Sequence, residues 1–455
     1  MERENFGSKI GVLAAAAGSA IGLGNIWKFP YITGVNGGAA FILVYLGCIL
    51  LVGLPVMLAE FVIGRKTQKN AVGAMKELAP DKPWYLAGAL SVATSFIILS
   101  FYAIIAGWVF SYMGRAAIGK LTSVPVEQME ANFGALIGSV YEPLFATFLV
   151  IAITGAIVIA GIKTGIEKYS KLLMPLLLVL LIALMIRSVT LEGASEGLAF
   201  LFKPDFSLLT RHGVLEALGH AFYSLSLAMG IILTYGSYVN KKENILSLAV
   251  QVTIADTLIA LMAGVVIFPA VFAYGLKPGQ GPGLIFITLP AVFKAMPFGG
   301  FFGFLFFLLV GIAAITSTIS LMEVIVAFIT EQFNMTRKKA TLFICIALFL
   351  LSIPSNLSFG PMSGVTIFFG FNFFDFLDKL TANIFLPLGG IFICLFTAWA
   401  WGTKNAVKEI TSDGLYEFKW EKLFTFAIKY LAPVSISIIF FNSLGVFKLI
   451  SKLFK

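Results

Sequence analysis

Long apolar runs separated by short polar stretches dominate the chain from Ile10 onward. Those carrying few charges lie near 9–32, 39–64, 84–113, 144–161, 166–186, 214–239, 245–273, 299–331, 340–353, 370–401 and 421–446. A helix rises about 1.5 Å per residue and about 20 apolar residues cross the hydrocarbon of a bilayer, so the pattern predicts eleven membrane-spanning helices. No cleavage site with soluble text behind it follows the first run, which is read as a span and not as a signal peptide. The connection near 187–213 contains GLAFLFKPDF, from Gly197 to Phe206, which predicts a short surface helix or lid.

Two runs are interrupted. The first reads Gly18-Ser19-Ala20-Ile21-Gly22-Leu23-Gly24-Asn25, and glycines so closely spaced weaken a helix where no water can satisfy the freed backbone. The sixth reads Phe222-Tyr223-Ser224-Leu225-Ser226-Leu227-Ala228-Met229-Gly230, polar and small residues at a similar depth. Matching interruptions in two halves of a chain point to a midplane binding site, where half-helix N-termini face an anion and unwound carbonyls hold a cation. The competing reading is that Gly18 and Gly22 form a small-residue packing face. In the eighth run Thr316, Ser317 and Ser320 share a face, so they offer oxygens to one small hard cation, or bond back to their own helix.

Composition narrows the class. Charged residues make up 12% of 455, hydrophobic ones 59%, and Gly and Phe contribute 44 and 45. A soluble domain carries about 25% charge, so an ordinary cytosolic enzyme is excluded. The net charge of +9 follows the spans: with the N-terminus cytoplasmic, 19 Lys and Arg fall in inside loops and ten in outside loops. That asymmetry predicts a multi-pass protein of the cell (inner) membrane, facing anionic lipid and no nucleic acid, with its C-terminus extracellular. Cys48, Cys345 and Cys394 sit in apolar runs and His212 and His220 are the only histidines, so no disulfide framework, Cys/His metal site or catalytic triad can be assembled. The charges Lys28, Glu60, Asp256, Glu323, Asp375, Asp378 and Lys379 lie within spans and are functional candidates, with Glu60 and Glu323 also readable as ties between helix ends or backbone.

These residues carry a resemblance. The stretch GSAIGLGNIWKFPY from Gly18 to Tyr31, followed by Asn36-Gly37-Gly38, resembles the first-span signature of the neurotransmitter:sodium symporter family, in its bacterial amino-acid transporter branch. The likeness extends through Gly53-Leu54-Pro55, Ser100-Phe101-Tyr102, the SLSL motif of the sixth run, Ala255-Asp256-Thr257, Thr316-Ser317 and Phe374 to Leu380. It implies an all-α fold of two inverted five-helix repeats with broken helices 1 and 6, at 1–186 and 214–402, an extracellular loop at 187–213, and a loop plus eleventh helix at 403–455.

The resemblance further implies sodium-coupled amino-acid uptake by alternating access, with proton coupling of the same architecture as the alternative. Its first sodium site would use Ala20, Asn25, Ser224 and Asp256, and its second Gly18, Ile21, Ala313, Thr316 and Ser317. The substrate carboxylate would meet Leu23, Gly24 and Tyr102, and its amine Ala20, Tyr223, Ser224 and Ser226. Gly22 stands where amine-selective relatives place Asp, which implies a substrate that brings its own carboxylate. Ile98, Tyr223, Met229, Ser317 and Leu321 would line a mostly apolar side-chain pocket. Lys28 with Asp378 would form an outer gate, and Arg3 with Glu331, assisted by Tyr238 and Phe6, an inner one. Tyr223, Ala228, Phe6 and His220 depart from the usual Phe, Gly, Trp and Gln. Asp256 in place of Asn, and Ala260 in place of Ser, imply transport without chloride.

Overall fold

The computed structural model describes residues 4–276, 281 and 283–447, and all regular structure among them is helical. Among the described residues nine helices are long and apolar enough to cross a membrane: Ala39–Thr67, Tyr85–Ala117, Tyr141–Ile159, Ile162–Val189, Ile245–Ala273, Gly299–Phe333, Arg337–Leu357, Phe373–Ala400 and Glu421–Ser443. A tenth is obtained when Lys9–Ala20 and Gly24–Val35, bent by 47°, are taken as one broken span. The remaining expected span, 214–239, falls on Arg211–Ser224 and Ile231–Gly236, each too short to cross alone.

Burial sorts these helices. Within its most apolar window Gly299–Phe333 is 83% buried, against 28% for Ile162–Val189 and for Glu421–Ser443, so the first is the axis of the bundle and the other two face outward. Gly64 and Gly236 let helix Ile231–Gly236 lie directly on Leu54–Thr67, because a Cβ at Gly236 would stand 2.7 Å from the Phe61 carbonyl oxygen. The second half of the sixth run is thereby fixed to the second span.

Prolines set a repeated local device. The π-helical turns Gly24–Lys28, Ile49–Gly53, Leu284–Thr288, Thr381–Phe385 and Ala427–Leu431 each end two residues before a proline, namely Pro30, Pro55, Pro290, Pro387 and Pro433. Proline lacks an N–H and its ring crowds the carbonyl four residues back, and a wider turn accommodates both effects without ending the helix.

Two differences from the sequence-based expectation have local causes. The ninth span, expected at 340–353, runs from Arg337 to Leu357. Its basic first turn is helical because Arg337 folds inward onto Glu323 and the Val158 carbonyl instead of reaching for water. Helix Leu284–Ala295 was not expected; it covers one end of the bundle, with Phe286 stacked on Phe133 and packed against Trp108 and Tyr112. The expected surface helix near 197–206 is present as Ala194–Phe202 and is docked on the seventh span, where Gly197 meets Phe268 and Pro269 and Phe200 meets Phe272.

Candidate functional site

Both interruptions are non-helical, and each exposes backbone toward the same interior point. In the first, Ile21 (φ −76°, ψ 86°) ends helix Lys9–Ala20 while its N–H still reaches the Ala17 carbonyl. The Gly22 N–H then donates to Asn25 Oδ1 at 3.1 Å and the Leu23 N–H to the Tyr102 hydroxyl at 3.2 Å. A Cβ at Gly22 would collide with the Ser317 hydroxyl, so the residue's smallness keeps three elements in contact. In the second, Ser226, Ala228 and Gly230 have φ of +54°, +65° and +77°, a left-handed conformation costing a side-chain-bearing residue about 1–2 kcal/mol. Glu60 stabilises it by accepting the Ala228 N–H at 2.6 Å, which is the backbone tie considered for this carboxylate from sequence.

Between the breaks lies a fully buried carboxylate. Asp256 accepts from the Ser224 hydroxyl at 2.9 and 3.0 Å and from Asn25 Nδ2 at 2.7 Å, while the same Nδ2 reaches the Asp256 carbonyl at 3.1 Å. Among the described residues no Lys, Arg or His forms an ion pair with it. The Asn25 amide presents nitrogen to this carboxylate, and turning it over places an oxygen at the same point. Ala20 lies on the cavity wall next to this cluster.

A second group of oxygens gathers where the first span crosses the eighth. Thr316 Oγ1 donates to the Ile312 and Ala313 carbonyls at 3.2 and 3.1 Å, and Ser317 Oγ to those of Ala313 and Ser19 at 3.2 and 3.5 Å. A Cβ at Gly18 would lie 3.5 Å from Thr316 Cβ, so the two helices touch there. Gly18, Ala313, Thr316 and Ser317 are thus brought together, and Ile21 stands at the end of the same helix. Both hydroxyls bond back within their own helix, as isolated membrane hydroxyls commonly do.

A cavity of about 30 Å³ joins the breaks. Its walls include Ala20, Gly22, Leu23, Gly24, Ile98, Tyr102, Tyr223, Ser224, Ser226, Met229, Ser317 and Leu321, and also Ser19 and Ile231, which the sequence reading omitted. Ser19 carried a usable signal, since it sits inside the glycine-rich break; its hydroxyl and carbonyl both meet Ser226 Oγ, at 3.2 and 3.0 Å. Ile231 carried none beyond being the first helical residue after the second break.

The two ends of this cavity differ. Lys28 and Asp378, expected as a pair, are not within ion-pair distance: the ammonium lies 4.4 Å from the centroid of the Tyr223 ring, and Asp378 is exposed, with water available to it. At the other end Arg3 lies outside the described residues. Phe6 is wedged between Tyr235 and Tyr238 at centroid distances of 5.8 and 6.0 Å, and its N–H donates to the Tyr238 carbonyl at 3.2 Å. Tyr238 directs its hydroxyl to Glu323 Oε1 at 2.7 Å, and Arg337 grips the same carboxylate bidentately. Glu331 accepts from the Asn70 N–H and Nδ2 at 2.9 and 2.8 Å. Glu323 and Arg337 thus meet at this end, a pairing the sequence reading did not name. His220 is buried in ring contact with Phe29 and Tyr45, at 5.9 and 5.4 Å.

Comparison with known proteins agrees with this geometry. The Sodium:neurotransmitter symporter family matches residues 3–128 and 125–452. An uncharacterized sodium-dependent transporter of Bacillus subtilis, YhdH, is 40% identical over 441 residues, covering 97% of this chain and 98% of the relative. One from Haemophilus influenzae is 37% identical, covering 97% and 98%. Among solved structures, MhsT in complex with L-phenylalanine superposes with a TM-score of 0.89 at 49% identity, covering 97% of this chain and all of that one.

Proposed function

The chain belongs to the Sodium:neurotransmitter symporter family, one of sodium-dependent transporters and not of enzymes, and from that premise we propose that it carries apolar or aromatic amino acids into the cell together with sodium. The observation that carries the reading is the Asp256 carboxylate, fully buried, held by an amide and a hydroxyl, and ion-paired to no cationic side chain among the described residues. An uncompensated carboxylate at that depth is expensive, and a small hard cation held by Asp256, Asn25, Ser224, the Ala20 carbonyl and the substrate carboxylate offsets it. Thr316 and Ser317 with the carbonyls of Gly18, Ile21 and Ala313 are the proposed ligands of a second sodium.

The substrate carboxylate enters between the Leu23 and Gly24 amides and the Tyr102 hydroxyl, at the N-terminal end of helix Gly24–Val35, where the helix dipole favours negative charge. Its amine faces the carbonyls of Ala20, Tyr223 and Ser224 and the Ser226 hydroxyl. Gly22 leaves no fixed acid for an amine-only ligand, and Ile98, Met229 and Leu321 favour an apolar side chain, as does the L-phenylalanine in the MhsT complex. Two sodium ions entering across 100 mV release about 4.6 kcal/mol, enough for a concentration ratio of order 10³.

Sodium joins the first broken span to the sixth, seventh and eighth, and so favours one packing of the bundle, which is the basis proposed for alternating access between two inverted repeats. Chloride is not required, because Asp256 supplies the fixed negative charge and Ala260 offers no hydroxyl for an anion. The family match and its sodium-dependent relatives favour sodium over the proton alternative. The test is amino-acid uptake into proteoliposomes under a sodium gradient, a proton gradient or neither, in chloride and in gluconate. Uptake should follow sodium alone and be lost in the Thr316→Val, Ser317→Ala double variant; uptake driven equally by protons would refute the reading.

A further inference from the structure

The structure points to a second device at the end of the bundle that carries the N-terminus, next to the Glu323 network. The helix Lys9–Ala20 begins with Ser8 as its N-cap, the Ser8 hydroxyl accepting the Gly11 N–H at 3.1 Å. The Glu167 carboxylate, at the start of the fifth span, receives the Gly7 N–H at 2.6 Å on one oxygen and the Ser8 hydroxyl at 2.8 Å on the other, and pairs with Lys171. Gly11 makes room for it, since a Cβ there would run into the Glu167 side chain. The reverse contact also exists: Glu4 of the N-terminal segment accepts the Ile162 N–H at 2.7 Å, beside Gly161 with φ +95°. Each segment places a carboxylate at the helical start of the other, where the dipole favours negative charge.

We propose that Glu167 is a positioning residue for transport: with Glu4 it forms a reciprocal clasp that holds the first half of the broken span against the fifth, and opening the cavity at this end requires the clasp to release. The mechanical reason is the location. The 12-residue helix is a lever about 18 Å long, hinged at Ile21–Leu23, and Glu167 grips it at the end farthest from the hinge. The proposal rests on the transport reading above, and its test reads a different quantity.

In a background with Cys48, Cys345 and Cys394 changed to Ala, the buried Val12 is replaced by Cys as reporter and its alkylation by a water-soluble maleimide is timed in sodium. Glu167→Gln keeps the side-chain shape and removes the charge, and should raise the labelling rate about tenfold, the equivalent of one or two charge-assisted hydrogen bonds. Ser8→Ala removes one of the bonds to Glu167 together with the N-cap bond from Gly11, leaves the carboxylate charge and the Gly7 bond in place, and should give a smaller rise of about threefold. Equal rates in the parent and in both variants, each monodisperse by gel filtration, overturn the clasp. A parent without sodium-dependent uptake sinks the transport reading instead, while the ratio of labelling rates still reports on the clasp.

Discussion

The cavity is closed at its two ends by different interactions. At the end that carries Lys28 the closing element is the Tyr223 ring with the Lys28 ammonium above it, while Asp378 remains exposed. Toward the N-terminus it is a buried network in which Glu323 is held by Tyr238 and Arg337 and Phe6 fills the space between Tyr235 and Tyr238. An aromatic lid with a cation over its face opens by exchanging modest contacts for water. A buried ion pair opens only by stranding charge or by hydrating both partners together. The asymmetry indicates that opening the end at Lys28 needs little work and that opening the other needs a coordinated change.

The largest expected effect tests the network. Glu323→Gln leaves the Arg337 guanidinium largely buried without its carboxylate and should cost about 3 kcal/mol, seen as a fall of several degrees in Tm of the purified protein. Replacing the pair together, Glu323→Leu with Arg337→Met, should restore most of that stability. An unchanged Tm in the single variant would show that this end is no more strongly closed than the other.

A smaller effect is expected at the lid. Tyr223→Ala removes the ring that bounds the cavity and should weaken amino-acid binding about thirtyfold, the equivalent of about 2 kcal/mol of buried apolar contact, without lowering Tm comparably. Tyr223→Phe should stay within about threefold, because ring area and not the hydroxyl closes the site. Equal losses in the two variants, measured by scintillation proximity binding, would reassign the role to the hydroxyl.

The smallest is Lys28→Gln, which removes a cation–π contact of about 0.5–1 kcal/mol and should change affinity two- to fivefold. A loss exceeding that of Tyr223→Ala would mean that Lys28 forms its expected pair with Asp378 during transport, and that this end closes by charge after all.

By itself the sequence determined the membrane class, the position of nearly every span and the location of both breaks, because about 20 consecutive apolar residues, mid-run glycines and buried charges are one-dimensional signals. It also marked Asn25, Ser224, Asp256, Thr316 and Ser317, since polar groups in hydrocarbon stand out wherever they occur. What only the tertiary structure decided is pairing. Glu323 and Tyr238 are 85 residues apart in the chain, and Glu167 lies 160 from Gly7. Which acid meets which partner depends on helix packing and rotation, and the same charge pattern allows several solutions. Ser19 and Ile231 entered the cavity wall, and Lys28 came to lie over a ring instead of beside a carboxylate, for the same reason: each outcome is set by how neighbouring helices fill space, which no local stretch of residues encodes.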